Sequence, residues 1–255
     1  RARRRARWVE RDGDHRRDQW QRSMGEAGWR RVRSCSGKAA SLLMPMALHT
    51  YVVRYDSGFA PNPFYGYCTL ATCKPRIRAG AQIGDWVVGS GSKSAAAGQE
   101  GRMVYAMRVS EALTWDQYST DPRFQSKQPF RRGSRKQTCG DNIYFRENAA
   151  TPWQQRDSFH SREDGSADPQ HVSRDTGVNR VLVSEDFVYM GGQGPFLPDL
   201  CDAQGRPLCK HGIGHSKFDD PMLISAFVAW LRELGSTGFK GVPFEWLSLR
   251  GAHEY

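Results

Sequence analysis

Along this chain apolar residues alternate with polar ones or run together in short stretches far more often than they recur at a helical period, which predicts many short strands and one clear helix. Residues 49–55, HTYVVRY, are β-branched and aromatic, and read as a first strand closed by the turn-formers from Asp56 to Pro63. Residues 67–73 form a short apolar run compatible with strand or helix, stopped by Lys74-Pro75. A Gly84-Asp85 turn feeds a strand over 86–90, a Gly/Ser/Ala stretch follows, and residues 102–110 supply its partner, which makes a hairpin. Residues 111–118 read as a short helix ahead of Asp121-Pro122. Residues 123–179 are polar and broken by Pro129, Pro152 and Pro169, with a strand visible only at 142–145. Strand character returns at 180–184 and 187–190.

The clear helix starts at Pro221, with Asp219 or Asp220 to cap it, a stripe of Leu223, Phe227, Trp230, Leu231 and Leu234, and Gly235 to end it. No internal repeat at a fixed period is visible. Short strands with one strong helix indicate an α+β fold. The expected core is small and barrel-like, or a mixed sheet, with a C-terminal amphipathic helix and long loops.

Charge changes this picture at one end. The 255 residues carry 37 Lys+Arg against 27 Asp+Glu, a net +10. Residues 1–45 hold 13 of those cations and 5 of the acids, leaving 24 against 22 for the rest, so the body is nearly neutral. The opening RARRRARWVERDGDHRRDQW has no helical apolar period and little to bury. Residues 1–43 therefore read as a disordered leader: a phosphate-gripping arm, a transit peptide, or upstream sequence translated ahead of a start at Met44 or Met46. Residues 44–255 read as one domain. Deleting 1–43 is expected to leave the melting temperature unchanged.

No run approaches the ~20 apolar residues of a membrane span, and no apolar core of a secretory signal is visible. The expectation is a cytoplasmic protein with no membrane partner. Six cysteines, Cys35, Cys68, Cys73, Cys139, Cys201 and Cys209, are too sparse for a disulfide scaffold and are expected to be reduced thiols.

Candidate chemistry lies in four places. His160 and His171 share the long polar region with Asp141, Asp157, Asp164 and Asp175, the residue types of general acid/base work, or else solvated loop residues. The loop from His211 to Lys217 bears two glycines and runs toward the final helix, so backbone N–H groups, His215 and Lys217 could hold a phosphate, or form an ordinary turn. Cys201, Cys209, His211 and His215 are weak zinc candidates, because their spacing lacks the tight knuckle of structural zinc, and the sequence commits to no metal. Arg123, Lys127, Arg131, Arg132, Arg135 and Lys136 alternate with Phe124 and Phe130, a mix that suits a nucleic-acid backbone with stacked bases, or a solvated loop. No Walker loop, serine elbow or cofactor motif is present, so the cofactor is unknown.

With these residues in view, the order of Tyr51 to Phe64, Cys68 to Pro75, Gly84 to Ser90, Val104 to Val109, Gly140 to Tyr144, Phe159 to Ser161, Phe187 to Gly192 and Gly212 to Phe218 resembles the nucleotide modification associated domain 2 family. The resemblance covers almost all of 48–235. It implies a link to modified nucleobases, including DNA base hypermodification, with nucleic acid or nucleotide as partner. The strand order is also similar to the base-holding EVE and PUA-like barrels, which would make Trp86, Tyr105, Asn142 and Tyr144 pocket residues, with Arg123, Lys127, Arg131 and Arg132 on the backbone. The leading expectation is recognition or modification of nucleobases. The alternatives are a nucleotide-processing enzyme using His160, Asp141, His215 and Lys217, and a zinc-stabilised interaction module.

Overall fold

The computed structural model describes residues 46–93 and 98–248. The leader, and the boundary proposed for it, lie outside them. Eleven strands are described: β1 Leu48–Val53, β2 Cys68–Leu70, β3 Trp86–Gly91, β4 Met103–Arg108, β5 Glu111–Leu113, β6 Tyr144–Phe145, β7 Gln154–Gln155, β8 Val181–Ser184, β9 Asp186–Tyr189, β10 His215–Phe218 and β11 Gly238–Phe239.

Six of them form a mixed sheet in the order β10-β1-β3-β4-β9-β11. β1 and β3 run parallel, β3 and β4 pair antiparallel as a hairpin, and β10 adds antiparallel to β1. A second sheet, β2-β8-β5, is antiparallel, and β6-β7 is a small hairpin. The fold is α+β with an open mixed sheet at its core. It is not a closed barrel.

Alternation along the strands sends residues to opposite faces of the large sheet. Leu48, Trp86, Val88, Ala106, Val188 and Phe218 meet Leu223, Ile224, Phe227 and Leu231 of the helix Pro221–Glu233. Asp220 caps that helix by accepting from the N–H groups of Met222 and Leu223, and Pro221 opens its first turn. Tyr51, Val87, Val104, Met107, Phe187 and Tyr189 instead face Cys68, Leu70 and Leu182 of the second sheet. The other face of that sheet, through Val181 and Val183, packs on Trp115, Tyr118, Phe124, Ile143 and Tyr144. The layers are thus helix, large sheet, small sheet, and an aromatic cap drawn from the polar region.

Several elements differ from the sequence pattern, among them a helix over Pro75–Gly80 that follows the stop at Lys74-Pro75. Glu111–Leu113 is a strand, because Thr114 and Gln117 form a capping box that starts the helix Trp115–Thr120 only after it. Within the polar region, Asp168 caps a helix over Pro169–Thr176. The glycine loop does not enter the helix Pro221–Glu233, since β10 lies between them, and that helix is not C-terminal, because β11 and a short helix over Phe244–Ser248 follow it. No helix of the described residues is long and apolar enough to cross a membrane.

Candidate active site

The short β2 strand ends at Leu70, and the chain turns sharply before the helix Pro75–Gly80. The turn is made by Cys73 and Lys74, with φ of 57° and 41°. Two successive non-glycine residues in the left-handed region cost roughly 1–2 kcal/mol each. Strain of this kind persists only where the surroundings enforce it, and it concentrates at functional sites.

The enforcing group is Arg78, whose side chain is fully buried. Its guanidinium donates to the carbonyl of Cys73 at 2.9 Å, to those of Val178 and Arg180 at 2.8 Å each, and to that of Asp175 at 2.7 Å. One planar fork thus ties the Cys73 turn to the end of the helix Pro169–Thr176. Lysine has no such fork. Arg78→Lys is expected to cost on the order of 3 kcal/mol of stability, measured by denaturant unfolding, because several of these buried carbonyls lose their donors.

The clamp brings three side chains into line. Cys73 Sγ lies 3.5 Å from His160 Nε2, and His160 Nδ1 lies 2.7 Å from Asp175 Oδ2. Asp175 is fully buried and also accepts from Tyr144 Oη at 3.1 Å and from the Cys73 N–H at 3.2 Å. His160 is 7 % exposed, with its ring packed edge-on against Phe59 at 4.8 Å and tilted against His171 at 4.2 Å. The backbone N–H of His160 donates to Ser158 Oγ, and its backbone carbonyl accepts from His171 Nδ1 at 3.0 Å. A carboxylate that orients an imidazole, and an imidazole within reach of a thiol, is the layout of an activated nucleophile.

Electrostatics reinforce it. Burial opposes a charge on His160, but the hydrogen bond to Asp175 and the nearness of Cys73 outweigh burial and raise its pKa to about 9. Burial acts to raise Asp175, yet His160, with Arg174 and Arg78, holds it below the usual carboxylate range. Burial, the His160 charge and Arg174 together keep His171 below the ordinary histidine value. The raised His160 pKa contributes stability that is fully present below about pH 6.5 and is lost as pH rises through about 9. A shift of this size is worth on the order of 3 kcal/mol. Denaturant midpoints are therefore expected to fall over that interval, and to flatten in His160→Gln.

The triad opens into a hollow of about 530 Å³. Tyr51, Phe59, Tyr55 and Phe159 give it aromatic walls, and Arg54, Lys74 and Arg174 give it cations. Tyr55 and Phe159 are exposed. Lys74 Nζ sits 4.4 Å from the centre of the Tyr51 ring, and partial burial holds its pKa below the ordinary lysine value.

The family model described as nucleotide modification associated domain 2 matches residues 45–250, a span that includes Cys73, His160 and Asp175. The chain belongs to that family. No curated protein and no solved structure matches it.

In this nucleotide modification associated domain, the residues marked by sequence are widely distributed. Of the acid/base candidates, His160 lies in the triad. Asp141 lies in a separate buried network, accepting from Thr69 Oγ1 at 2.6 Å and Tyr118 Oη at 2.7 Å. His215 stands on β10, stacked on His49, and Lys217 pairs with Asp219 at 3.4 Å. Trp86, Tyr105 and Tyr144 are buried in three different clusters. Asn142, also buried, donates to the carbonyls of Tyr118 and Phe124. These four do not surround one hollow.

The basic stretch is engaged within the domain. Arg123 forks onto Glu111 and Asp121, and Arg131 lies over Phe159 and near Asp157. Lys127 is fully buried, donating to Asn62 and to the Tyr67 carbonyl. Arg132 is exposed. Among the described residues no three His, Cys, Asp or Glu side chains converge as a metal site, so Cys201, Cys209, His211 and His215 stand apart.

Cys73 is the candidate site residue that sequence reasoning missed. A cysteine at a sharp turn ahead of Lys-Pro, with a histidine far along the chain, was its signal, diluted by the other five cysteines.

Proposed function

We propose that this domain is a thiol-dependent enzyme of nucleotide modification, with Cys73 as nucleophile, His160 as its acid/base partner and Asp175 as the group that orients His160. The observation that carries the reading is the line from Cys73 Sγ through His160 to Asp175 Oδ2, at 3.5 and 2.7 Å, facing a hollow with aromatic walls. Family membership supports a nucleotide or a nucleic-acid base as the substrate class. Tyr55 and Phe159 would stack on the base, since every base has a π-face.

In the step this geometry suits, the proton of the Cys73–His160 pair is held on the imidazole as sulfur forms a bond to an electrophilic carbon. The imidazolium, stabilised by Asp175, passes that proton to the departing group as its bond breaks. A second nucleophile, water or an alcohol or amine, then gives a proton back to His160 as it displaces the sulfur and regenerates the pair. A reducing cytoplasmic setting fits a cysteine kept in thiol form.

The test is intact-mass measurement after incubation with nucleoside triphosphates and short DNA bearing modified or unmodified bases. An adduct that maps to Cys73 and vanishes in Cys73→Ala supports the reading. Neither adduct nor product with any of them, or an adduct that persists in Cys73→Ala, refutes it.

A further inference from the structure

A second hollow of about 750 Å³ adjoins the first, and Arg54 and Lys74 line both. Its other walls are Gly91, Lys93, Glu100, Lys210 and the loop from His211 to Gly214. Four fixed cations, Arg54, Lys74, Lys93 and Lys210, face a single carboxylate, Glu100. That carboxylate is half exposed and lies 3.8 Å from His211 Nδ1. The body as a whole is nearly neutral, so this concentration of positive charge is local. Partly enclosed cations of one sign raise the local concentration of anions and favour multivalent ones.

The walls also differ in kind. The thiol hollow sets aromatic walls beside Arg54, Lys74, Arg174 and Glu245, while the second is cationic without Phe, Tyr or Trp. In the loop, Gly212 and Gly214 hold φ of 74° and 99°, and an added Cβ at either would meet nothing within 4 Å. The backbone conformation, not crowding, is what asks for glycine there.

We propose that the cationic hollow receives the phosphates of a nucleotide whose base or sugar reaches Cys73 in the aromatic hollow next to it. The proposal rests on the thiol-enzyme reading and deepens it by naming the phosphorylated form as substrate. Three or four negative charges on a nucleoside triphosphate balance the four cations. Arg54 and Lys74, common to both hollows, then lie where the phosphate chain joins the nucleoside.

The experiment uses the full chain and reads carboxamidomethylation of Cys73 by peptide mass spectrometry, a readout blind to phosphates bound elsewhere. The four deoxynucleoside triphosphates are tested one by one against their nucleosides. At least one triphosphate is expected to slow the reaction about tenfold or more, with no effect of its nucleoside at the same concentration. Excess inorganic tripolyphosphate, which fills the cationic hollow without covering the thiol, restores the rate. Lys93→Ala combined with Lys210→Ala abolishes the protection. A single-stranded oligonucleotide that protects where triphosphates do not overturns the proposal in favour of a strand. Lack of protection by any phosphorylated probe, or protection that survives the double substitution, overturns the proposal. In either event, alkylation of Cys73 that still depends on His160 leaves the thiol-enzyme reading standing.

Discussion

Asp141→Ala is expected to destabilise the domain by about 3–5 kcal/mol, enough to unfold much of it at physiological temperature. The reason lies in a buried pair of opposite charges that do not touch. Lys127, fully buried, spends its three donors on Asn62 O, Asn62 Oδ1 and the Tyr67 carbonyl, at 3.0, 2.6 and 3.0 Å. Asp141, equally buried, accepts from Thr69 and Tyr118. Burial raises Asp141 to about 6, against the pull of Lys127, and lowers Lys127 to about 8, against the pull of Asp141. Near pH 7 each charge is therefore the other's compensation in a medium of low dielectric. Removing the carboxylate leaves an ammonium ion uncompensated, and two hydroxyls without their acceptor. Denaturant unfolding at pH 7 checks the loss. Combining Asp141→Asn with Lys127→Met is expected to recover a substantial part of it, because neither charge then remains buried.

The network also accounts for the position of the polar region. Asn62 donates to the Cys139 carbonyl at 2.8 Å while it accepts from Lys127. The loop after β1 is thereby fastened to residues 127–141, which fold back over the small sheet. Destabilisation at Asp141 should loosen this cap before the six-stranded sheet, which hydrogen exchange resolves.

Asp175→Asn is expected to reduce turnover, or Cys73 adduct formation, by about 10²–10⁴-fold, and to cost stability near neutral pH because the His160 pKa falls. An amide retains the size of the carboxylate and can still meet the Cys73 N–H and Tyr144 Oη. It cannot stabilise an imidazolium, and it can present a donor where His160 Nδ1 needs an acceptor. The His160 pKa then falls from about 9, because the partner that offsets burial is gone. The rate should be measured beside a melting curve. Loss of rate at temperatures where the melting curve shows the variant still folded separates the orienting role of Asp175 from its structural one.

Much of the large sheet was legible in the sequence. Tyr51-Val-Val and Trp86-Val-Val of the large sheet, like Val181-Leu-Val-Ser184 of the small one, are β-branched runs between turn-formers, and each is a strand. β10 was not legible, since His215-Ser-Lys-Phe218 is polar and follows two glycines, and it forms only by pairing with β1. The helix Pro169–Thr176 carries little apolar surface beyond Val172, so no period announced it, although Asp168-Pro169 is a cap followed by a first-turn proline.

At the site, His160 and Asp175 were among the residues picked out by type, but their partner was hidden by distance. Cys73 lies 87 residues before His160 and 102 before Asp175, and no local motif spans such separations. Arg78 was equally unreadable, because its task is defined by four carbonyls that only the fold brings together.

The central claim, that Cys73 is a nucleophile served by His160, is tested most directly by alkylation with iodoacetamide at pH 7, with each cysteine quantified by peptide mass spectrometry. Cys201 is the exposed reference thiol. Cys73 is expected to react about tenfold or more faster than Cys201 despite being less exposed, and His160→Ala to remove the advantage. Alkylation of Cys73 no faster than that of Cys201, or a rate indifferent to His160→Ala, would contradict it.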